Sequence, residues 1–242
     1  MNLILEILFL TYFLIKYSEL MIRYILRNYR NLKYANAQKY KVGKEGSLLH
    51  AFHQTKTVFI HIPKTAGISL LKAIYGKVSL ESHRTYEFNN LILGITKNQY
   101  FSFSFVRNPF DRLYSTYNFL QKGGINKLDE TSFQKHLAKY TDFEDFVLNG
   151  LNKKTIFQVT HLLPQSYFIC NKKGEVLVSF VGRFENLITD VNHLSEKLGK
   201  EINLEHLNKN KRRSYKEVYS QEMIEVVNRV YEDDLRIFNY EF

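Results

Sequence analysis

Lys64, Thr65 and Ser69 lie in a segment whose residue types and spacing favour the binding of an anion. Residues 58–62 before them are mostly apolar and β-branched or aromatic, which predicts a buried strand. From Gly67 onward the apolar residues recur with helical spacing. A tight turn from strand to helix presents unpaired backbone N–H groups and the positive end of the helix dipole at one point. With a lysine and two hydroxyls added, the segment predicts a phosphate or sulfate site.

The same segment is compatible with two other interpretations, a nucleoside triphosphate P-loop and an ordinary turn. The P-loop requires Gly-x-x-x-x-Gly-Lys-[Ser/Thr], in which the lysine follows the glycines. In this chain Lys64 precedes Gly67, and no acidic residue stands out as a partner for Mg²⁺. The loop is therefore predicted to bind phosphate without being a Walker A loop. An ordinary strand-to-helix turn that contains a lysine remains the structural alternative.

A second segment repeats this organisation of strand, turn and helix. Residues 101–106 alternate as a strand, Asn108 is a predicted N-cap, and the proline after it suits a first helical turn. Arg107 stands at the end of the strand, where open α/β sheets bind their ligands. Its guanidinium can form two hydrogen bonds to a phosphate, and Ser115, two turns along the helix, can donate its hydroxyl to the same group. A salt bridge between Arg107 and Asp111 is the structural alternative.

These two segments together resemble the sulfotransferases that use 3′-phosphoadenosine 5′-phosphosulfate (PAPS), namely the Golgi-type carbohydrate sulfotransferases and their bacterial relatives, called sulfotransferase family 2. The resemblance covers roughly residues 56–242. It implies that one loop holds the 5′-phosphosulfate, formed by Pro63, Lys64, Thr65, Ala66, Gly67, Ile68 and Ser69. It also implies that Arg107 and Ser115 hold the 3′-phosphate. Ile68 departs from the family, which often has a second hydroxyl residue at this position.

The resemblance implies a chemical reaction, the in-line transfer of a sulfuryl group from PAPS to a carbohydrate hydroxyl without a metal. Lys64 would stabilise the leaving phosphate as its bond to sulfur breaks. Tyrosine and lipid-linked sugars are further possible acceptors, and the carbohydrate is favoured because the resemblance is to the carbohydrate enzymes.

An acceptor hydroxyl also needs a base, because its pKa lies far above neutral pH. His83 is the predicted base, since it follows a predicted strand at residues 78–80 and would share the sheet edge with the lysine. The resemblance agrees, because related carbohydrate sulfotransferases have a catalytic histidine in this interval. Glu81 and Glu87 are rival bases, and a surface-loop histidine is the structural alternative. His61, inside the preceding strand, is interpreted as a packed histidine.

Composition limits the functions that remain. With 34 Lys and Arg against 24 Asp and Glu, the net charge is +10, which suits a polyanionic cosubstrate or an acidic acceptor. Nucleic acid is not an expected partner, because no aromatic RNA-binding signature accompanies the charge. The single cysteine, Cys170, excludes an internal disulfide and a cysteine-rich metal site. Two alternative functions stay open, a P-loop-type kinase and a non-catalytic protein that binds polyanions or membranes.

The N-terminal residues 1–32 differ from the rest of the chain. They combine an apolar stretch with recurring basic residues, which predicts an amphipathic helix at a membrane surface. The apolar run is too short for a membrane span and lacks the features of a signal peptide. A helix packed on its own domain or on a second subunit is the alternative. The expected location is membrane-associated with a cytoplasmic catalytic domain, or the Golgi if the source is eukaryotic.

The elements that must position these residues indicate an α/β fold. We expect a P-loop-like, three-layer arrangement with a central, mainly parallel sheet flanked by helices, plus the N-terminal amphipathic helix. Residues 33–55 are predicted to be a linker with little regular structure, and residues 56–242 the sulfotransferase domain. Predicted strands are 57–62, 78–80 and 101–106, and predicted helices are 67–75, 86–95, 109–121 and 185–198.

Three further predictions concern the rest of the domain. Residues 122–131 are predicted to be a polar loop and a candidate lid over the acceptor. Residues 166–170 and 176–180 are predicted to be the strands of a hairpin. Thr141 and Ser214 are predicted to cap helices, because each is followed three residues later by a glutamate.

Overall fold

Three parallel strands form the sheet in the part of the chain that the structure, a computed structural model, describes: residues 29–76, 83–96, 98–204 and 214–242. The strands are β1 (Thr57–Ile60), β2 (Phe101–Val106) and β3 (Phe180–Arg183), in that order across the sheet. Thr57 pairs with Phe101, and Phe103 pairs with Phe180. Because the strands are parallel, their carboxyl ends and the loops that follow lie at one edge of the sheet.

The α-helices of the described residues connect or flank these strands. They are α1 (Leu48–Thr55), α2 (Gly67–Tyr75), α3 (Tyr86–Leu93), α4 (Pro109–Gln121), α5 (Lys127–His136), α6 (Phe143–Asp145), α7 (Gln165–Ile169), α8 (Leu187–Leu198), α9 (Gln221–Val230) and α10 (Glu232–Phe238). Residues 29–38 are also helical. The predicted α/β class, with a parallel sheet flanked by helices, is confirmed. The predicted amphipathic helix lies largely outside the described residues.

Apolar side chains fill the interior in two clusters. The first surrounds the sheet and includes Val58, Phe103, Leu70 and Leu194. The second lies where α4 packs near α6 and α9, and includes Phe110, Tyr117, Phe146, Met223 and Val227. The four residues of β1 are all buried, which explains why the strand reads as a continuous apolar run. This packing fixes the position of the sheet edge that carries the loops after β1 and β2.

The bounds of α2, β2 and α4 agree with the prediction, whereas two neighbouring elements are shorter. β1 ends at Ile60 rather than at residue 62, and α3 ends at Leu93 rather than at residue 95. Gly94 follows α3 in a left-handed conformation with φ of 63°, which ends the helix. The predicted strand at residues 78–80 lies outside the described residues.

Two segments that were expected to lack regular structure contain helices. Within the predicted linker, Ser47 caps α1, and α1 buries Leu49 and Phe52 in the first cluster. Within the predicted polar loop, the Asn126 side chain caps α5 by accepting two backbone N–H groups. Neither helix has a long repeat of apolar residues in its sequence. Caps and tertiary packing stabilise both helices instead. The division of the chain into linker and domain stays a prediction.

The predicted hairpin is wrong in both of its strands, since the only strand that the described residues form near 176–180 is β3, which begins at Phe180. Residues 165–169 form α7, and only an isolated antiparallel bridge joins Cys170 to Val176. The predicted turn is present, because Asn171 donates its N–H to the Glu175 carbonyl. A carboxylate from a distant part of the chain, Asp234, accepts the N–H groups at the start of α7 and so supplies the cap. A cap supplied across such a distance leaves no local pattern in the sequence.

Both predicted capping boxes are displaced from the observed caps. Asp142 rather than Thr141 accepts the backbone N–H of Asp145 at the start of α6. Ser214 precedes only a 3₁₀ turn, and Ser220 caps α9.

Among the described residues, no helix has the length and apolar character needed to cross a bilayer.

Candidate functional site

The loop between β1 and α2 adopts a conformation suited to an anion. Lys64 and Ala66 both have left-handed backbones, with φ of 70° and 64°. A loop that includes left-handed residues turns backbone N–H groups toward one side, where they form a concave anion-binding surface. The Thr65 side chain is fully buried and donates its hydroxyl to the Ile62 carbonyl at 2.9 Å. Thr65 therefore braces the loop with its side chain and has only its N–H left for a ligand.

The first turn of α2 is open to a ligand, unlike the first turns of most neighbouring helices. No side chain caps it, since Ala66 occupies the N-cap position. By contrast, side chains cap α1, α3, α4, α5 and α9. Gly67 is required here, because a Cβ at this position would lie 1.8 Å from Cδ2 of His61. Ser69 is half-buried in the first turn, and Ile68 is exposed.

Arg107 connects the loop after β1 to the loop after β2. Its Nη1 donates to the Lys64 carbonyl at 3.1 Å, and its Nε donates to Asp111 Oδ2 at 2.8 Å. The guanidinium also lies over the Phe184 ring, with Cζ 4.1 Å from the ring centroid. The salt bridge to Asp111 that the sequence left open is therefore present. The same guanidinium holds the two predicted anion-binding loops side by side.

A buried glutamine, Gln165, fixes the backbone of Arg107. Its Oε1 accepts the Arg107 N–H at 2.8 Å, and its Nε2 donates to the Arg107 carbonyl at 2.8 Å. Gln165 is fully buried, and its own N–H donates to the buried carboxylate of Asp234. Gln165 was not predicted as a site residue, because no neighbouring residue along the chain marks it as a partner of a loop so far away.

The neighbouring Asn108 is anchored in a similar way. Its Oδ1 accepts the Phe110 N–H, as the N-cap prediction requires. Its N–H donates to Glu185 at 2.6 Å, and its Nδ2 donates to the Glu241 carbonyl at 2.7 Å. The end of the chain thus packs on the loop after β2 and restricts its conformation.

Helix α4 carries Ser115 and places Phe119 against Lys64 of the loop after β1. Ser115 is buried, with 2% of its surface exposed. One turn later, the Phe119 ring lies under the Lys64 ammonium, with Nζ 3.8 Å from the ring centroid. The attraction between a cation and the face of an aromatic ring holds the lysine side chain over α4.

Three histidines, which we call the histidine cluster, meet beside this lysine: His61, His83 and His161. Nδ1 of His83 lies 2.9 Å from the His61 carbonyl. Because a carbonyl can only accept, Nδ1 must carry the hydrogen, and Nε2 of His83 keeps its lone pair. The His83 ring is 4.4 Å from His61 and 5.5 Å from His161 between centroids. His61 packs on Phe59, which agrees with its interpretation as a packed histidine.

The carboxylate of Asp129 lies next to the histidine cluster. Asp129 Oδ1 is 3.7 Å from Nδ1 of His161, and both side chains are nearly buried. Neither residue was predicted to take part in the site, and Asp129 falls in the segment predicted to be a polar loop. Their proximity arises only because α5 and the short turn that carries His161 both pack against α4. The rival base Glu87 is exposed in the first turn of α3, and Glu81 lies outside the described residues.

Burial lowers the pKa of each member of the histidine cluster. For His61 desolvation is the largest cause, and the neighbouring His83 adds to it. Desolvation also dominates the lowered pKa of His83, opposed by the bond to the His61 carbonyl and by Asp129. It lowers the pKa of His161 to about 4. The three imidazoles are therefore neutral at neutral pH, as a base requires.

Arg112 stabilises the backbone next to the histidine cluster. It is 1% exposed, and it donates Nη1 to the His161 carbonyl at 3.2 Å and Nη2 to the Leu163 carbonyl at 2.8 Å. These bonds fix the backbone that carries His161.

Within the described residues, no group of three or more His, Cys, Asp or Glu side chains is placed to hold a metal ion.

Comparison with known proteins identifies the family of the chain. No curated protein and no solved structure matches it. The sequence pattern of the Sulfotransferase family matches residues 49–241, which include both predicted anion-binding loops and the histidine cluster. Because this match spans most of the 242 residues, the chain belongs to the sulfotransferase family.

Proposed function

We propose that the protein transfers the sulfuryl group of PAPS to a hydroxyl of a carbohydrate acceptor. The proposal rests above all on the hydrogen bond between Arg107 Nη1 and the Lys64 carbonyl, which joins the two loops. PAPS carries its phosphosulfate and its 3′-phosphate on one ribose, so a protein that binds both groups needs two adjacent anion sites. The net charge of +10 favours such a polyanionic donor.

On the donor side, the N–H groups at the start of α2 and the hydroxyl of Ser69 bind the 5′-phosphosulfate. Lys64 stabilises the negative charge that the departing phosphate gains. Its flexible side chain lets the ammonium leave the Phe119 ring and reach the donor. Arg107 and Ser115 bind the 3′-phosphate, and this contact distinguishes PAPS from ATP.

On the acceptor side, Nε2 of His83 removes the proton of the acceptor hydroxyl. The acceptor oxygen forms a bond to sulfur, and the electron pair of the old sulfur–oxygen bond leaves with the phosphate. His83 suits this role because its Nδ1 is held by the His61 carbonyl at 2.9 Å, which orients the ring and leaves Nε2 unprotonated. The carbohydrate acceptor is proposed from the resemblance of the two motifs to the carbohydrate enzymes.

Donor binding and sulfate transfer test this function separately. Calorimetry should show that the full chain binds 3′-phosphoadenosine 5′-phosphate more tightly than ATP. Radiolabelled PAPS should then label one class of acceptor in a screen of sugars, lipid-linked glycans and tyrosine peptides. Lys64→Ala should abolish transfer, whereas Lys72→Ala, an exposed lysine on α2, should leave it unchanged. Mg²⁺-dependent turnover of ATP without binding of the bisphosphate would instead favour a kinase.

Membrane association is part of the same proposal and is based on residues 1–32 alone. We propose that the amphipathic pattern binds an anionic membrane surface, with the catalytic domain on the cytoplasmic side. Flotation of the full chain with phosphatidylglycerol vesicles, compared with phosphatidylcholine vesicles, tests this association. Equal recovery in the vesicle-free fraction with both lipids would refute it.

A further inference from the structure

We propose that Asp129 and His161 form a positioning pair that stabilises the positive charge His83 acquires when it takes the acceptor proton. The inference rests on the proposed function, because it concerns the base of that reaction. It assigns roles to two residues that neither the motifs nor the family match singles out. Neither residue needs to touch the substrate, so both act through His83.

The geometry arranges a carboxylate and two imidazoles in sequence. His161 meets His83 edge to face, with 5.5 Å between ring centroids, and its Nδ1 faces Asp129 Oδ1 at 3.7 Å. The Phe119 ring packs on His161 at 5.2 Å and limits its movement. His161 therefore contacts both the base and the carboxylate, and together the two residues set the electrostatic surroundings of His83.

The backbone of His161 is held independently of its ring. Its carbonyl accepts a hydrogen bond from Arg112 Nη1 at 3.2 Å and another from the Thr116 hydroxyl at 3.3 Å. Substitution of the imidazole should therefore leave these bonds in place. This separation makes the side chain of His161 testable without loss of the fold.

Asp129 is fixed in position by the turn that precedes α5. Its Oδ2 accepts the Ile125 N–H at 3.0 Å. Gly124 has a φ of 66°, and a Cβ there would lie 2.2 Å from the Asp129 Cβ, so the turn leaves room for this side chain alone. Asp129 is 6% exposed. A carboxylate removed from water in this way acts on its neighbours with little screening.

The other charged groups near His83 explain why the pair is needed. Lys64 from the loop after β1 and Arg112 from α4 both disfavour a positive charge on His83. The hydrogen bond to the His61 carbonyl and the charge of Asp129 favour it. Burial of the His83 ring also disfavours the charged form. Asp129 is thus the negative charge that offsets two cations while the imidazolium exists.

The proton balance requires no transfer to the pair. His83 Nε2 binds the proton of the acceptor hydroxyl, and Nδ1 stays bonded to the His61 carbonyl. His161 remains neutral throughout. After the product leaves, His83 returns its proton to solvent.

Asp129→Asn tests the role of the charge while its amide oxygen can still accept the Ile125 N–H. We expect kcat to fall roughly ten- to hundredfold, as when a general base is weakened. The acid limb of the pH profile of kcat/KM should move to lower pH by about one unit, because His83 loses a favourable charge. Glu130→Gln is the matched control, since this exposed neighbour pairs with Lys127 on the surface, and its profile should not move. If the acid limb of the Asp129→Asn profile lies at the same pH as in the wild type, the proposal is overturned.

A double-mutant cycle tests whether the two residues act together. Because both residues act on the charge of His83, the loss in the double variant Asp129→Asn/His161→Asn should be smaller than the sum of the two single losses. Strictly additive losses would overturn the pairing. Loss of the acid limb in His161→Asn, with the limb kept in His83→Asn, would make His161 the base and also overturn it.

A measurement independent of activity separates this inference from the proposed function. In the full chain, NMR titration of the histidine rings should show His83 titrating at lower pH in Asp129→Asn than in the wild type. Affinity for 3′-phosphoadenosine 5′-phosphate should be unchanged, because the pair lies on the acceptor side. A shifted titration without any sulfate transfer would support the pair and refute the function. Active enzyme with an unshifted titration would refute the pair alone.

Discussion

Gln165→Leu should destabilise the protein and weaken nucleotide binding together, because one buried amide holds both polar groups of the Arg107 backbone. Leucine has a similar size but cannot replace the bonds to the Arg107 N–H and carbonyl, each 2.8 Å long. Leaving a buried donor or acceptor unpaired costs about 1–3 kcal/mol, so two such groups predict a loss of about 2–6 kcal/mol. That is a large part of the roughly 5–15 kcal/mol by which a domain is stable.

Urea unfolding of the full chain measures this loss directly. Gln165→Glu provides a graded comparison, because its carboxylate can accept the Arg107 N–H but cannot donate to the carbonyl, so we expect an intermediate loss. Gln158→Leu is the matched control at an exposed position and should change the free energy of unfolding by less than about 0.5 kcal/mol.

The same series tests the link from Gln165 to the binding site. Displacement of the Arg107 backbone should misplace its guanidinium, and the affinity for 3′-phosphoadenosine 5′-phosphate should fall in the order of the stability loss. Gln165→Leu with the unfolding free energy of the wild type would refute the argument about buried partners. A destabilised variant with unchanged affinity would refute the link to Arg107.

Three further predictions follow from the same geometry. Gly67→Ala should cost about 1–3 kcal/mol in urea unfolding, because the new Cβ would lie 1.8 Å from the His61 ring. Gly43→Ala, whose nearest neighbour is at 3.8 Å, should cost far less, and equal losses would contradict the packing argument. Arg107→Lys keeps the charge but loses the planar fork, so calorimetry should show a roughly ten- to hundredfold loss of bisphosphate affinity. His161 has a pKa of about 4 when folded and an ordinary value near 6.5 when unfolded, so the unfolded state binds more protons between these values. Titration of His161 alone should therefore lower stability by about 2 kcal/mol between pH 7 and pH 5, and the total fall should be smaller in His161→Asn; an equal fall in both proteins would count against the buried neutral histidine.

The local sequence predicted the elements that carry the nucleotide motifs, because their signals lie within a few residues. The apolar run before Lys64, the helical period after Gly67 and the Asn108 cap each act on their immediate neighbours. The bounds of α2, β2 and α4 followed directly from such signals. The prediction failed for α5 and α7, whose stability depends on a cap or on a distant carboxylate rather than on apolar spacing.

The sequence by itself therefore determined the α/β class, the two strand-to-helix loops with Lys64 and Arg107 on them, and the choice of His83 as the candidate base. Only the tertiary structure decided which of their partners meet. It joined Arg107 to the Lys64 carbonyl, turned the Thr65 hydroxyl inward, and brought Asp129 and His161 beside His83. The physical reason is that parallel strands collect their loops at one edge, while the contacts among those loops depend on the packing of helices far apart along the chain.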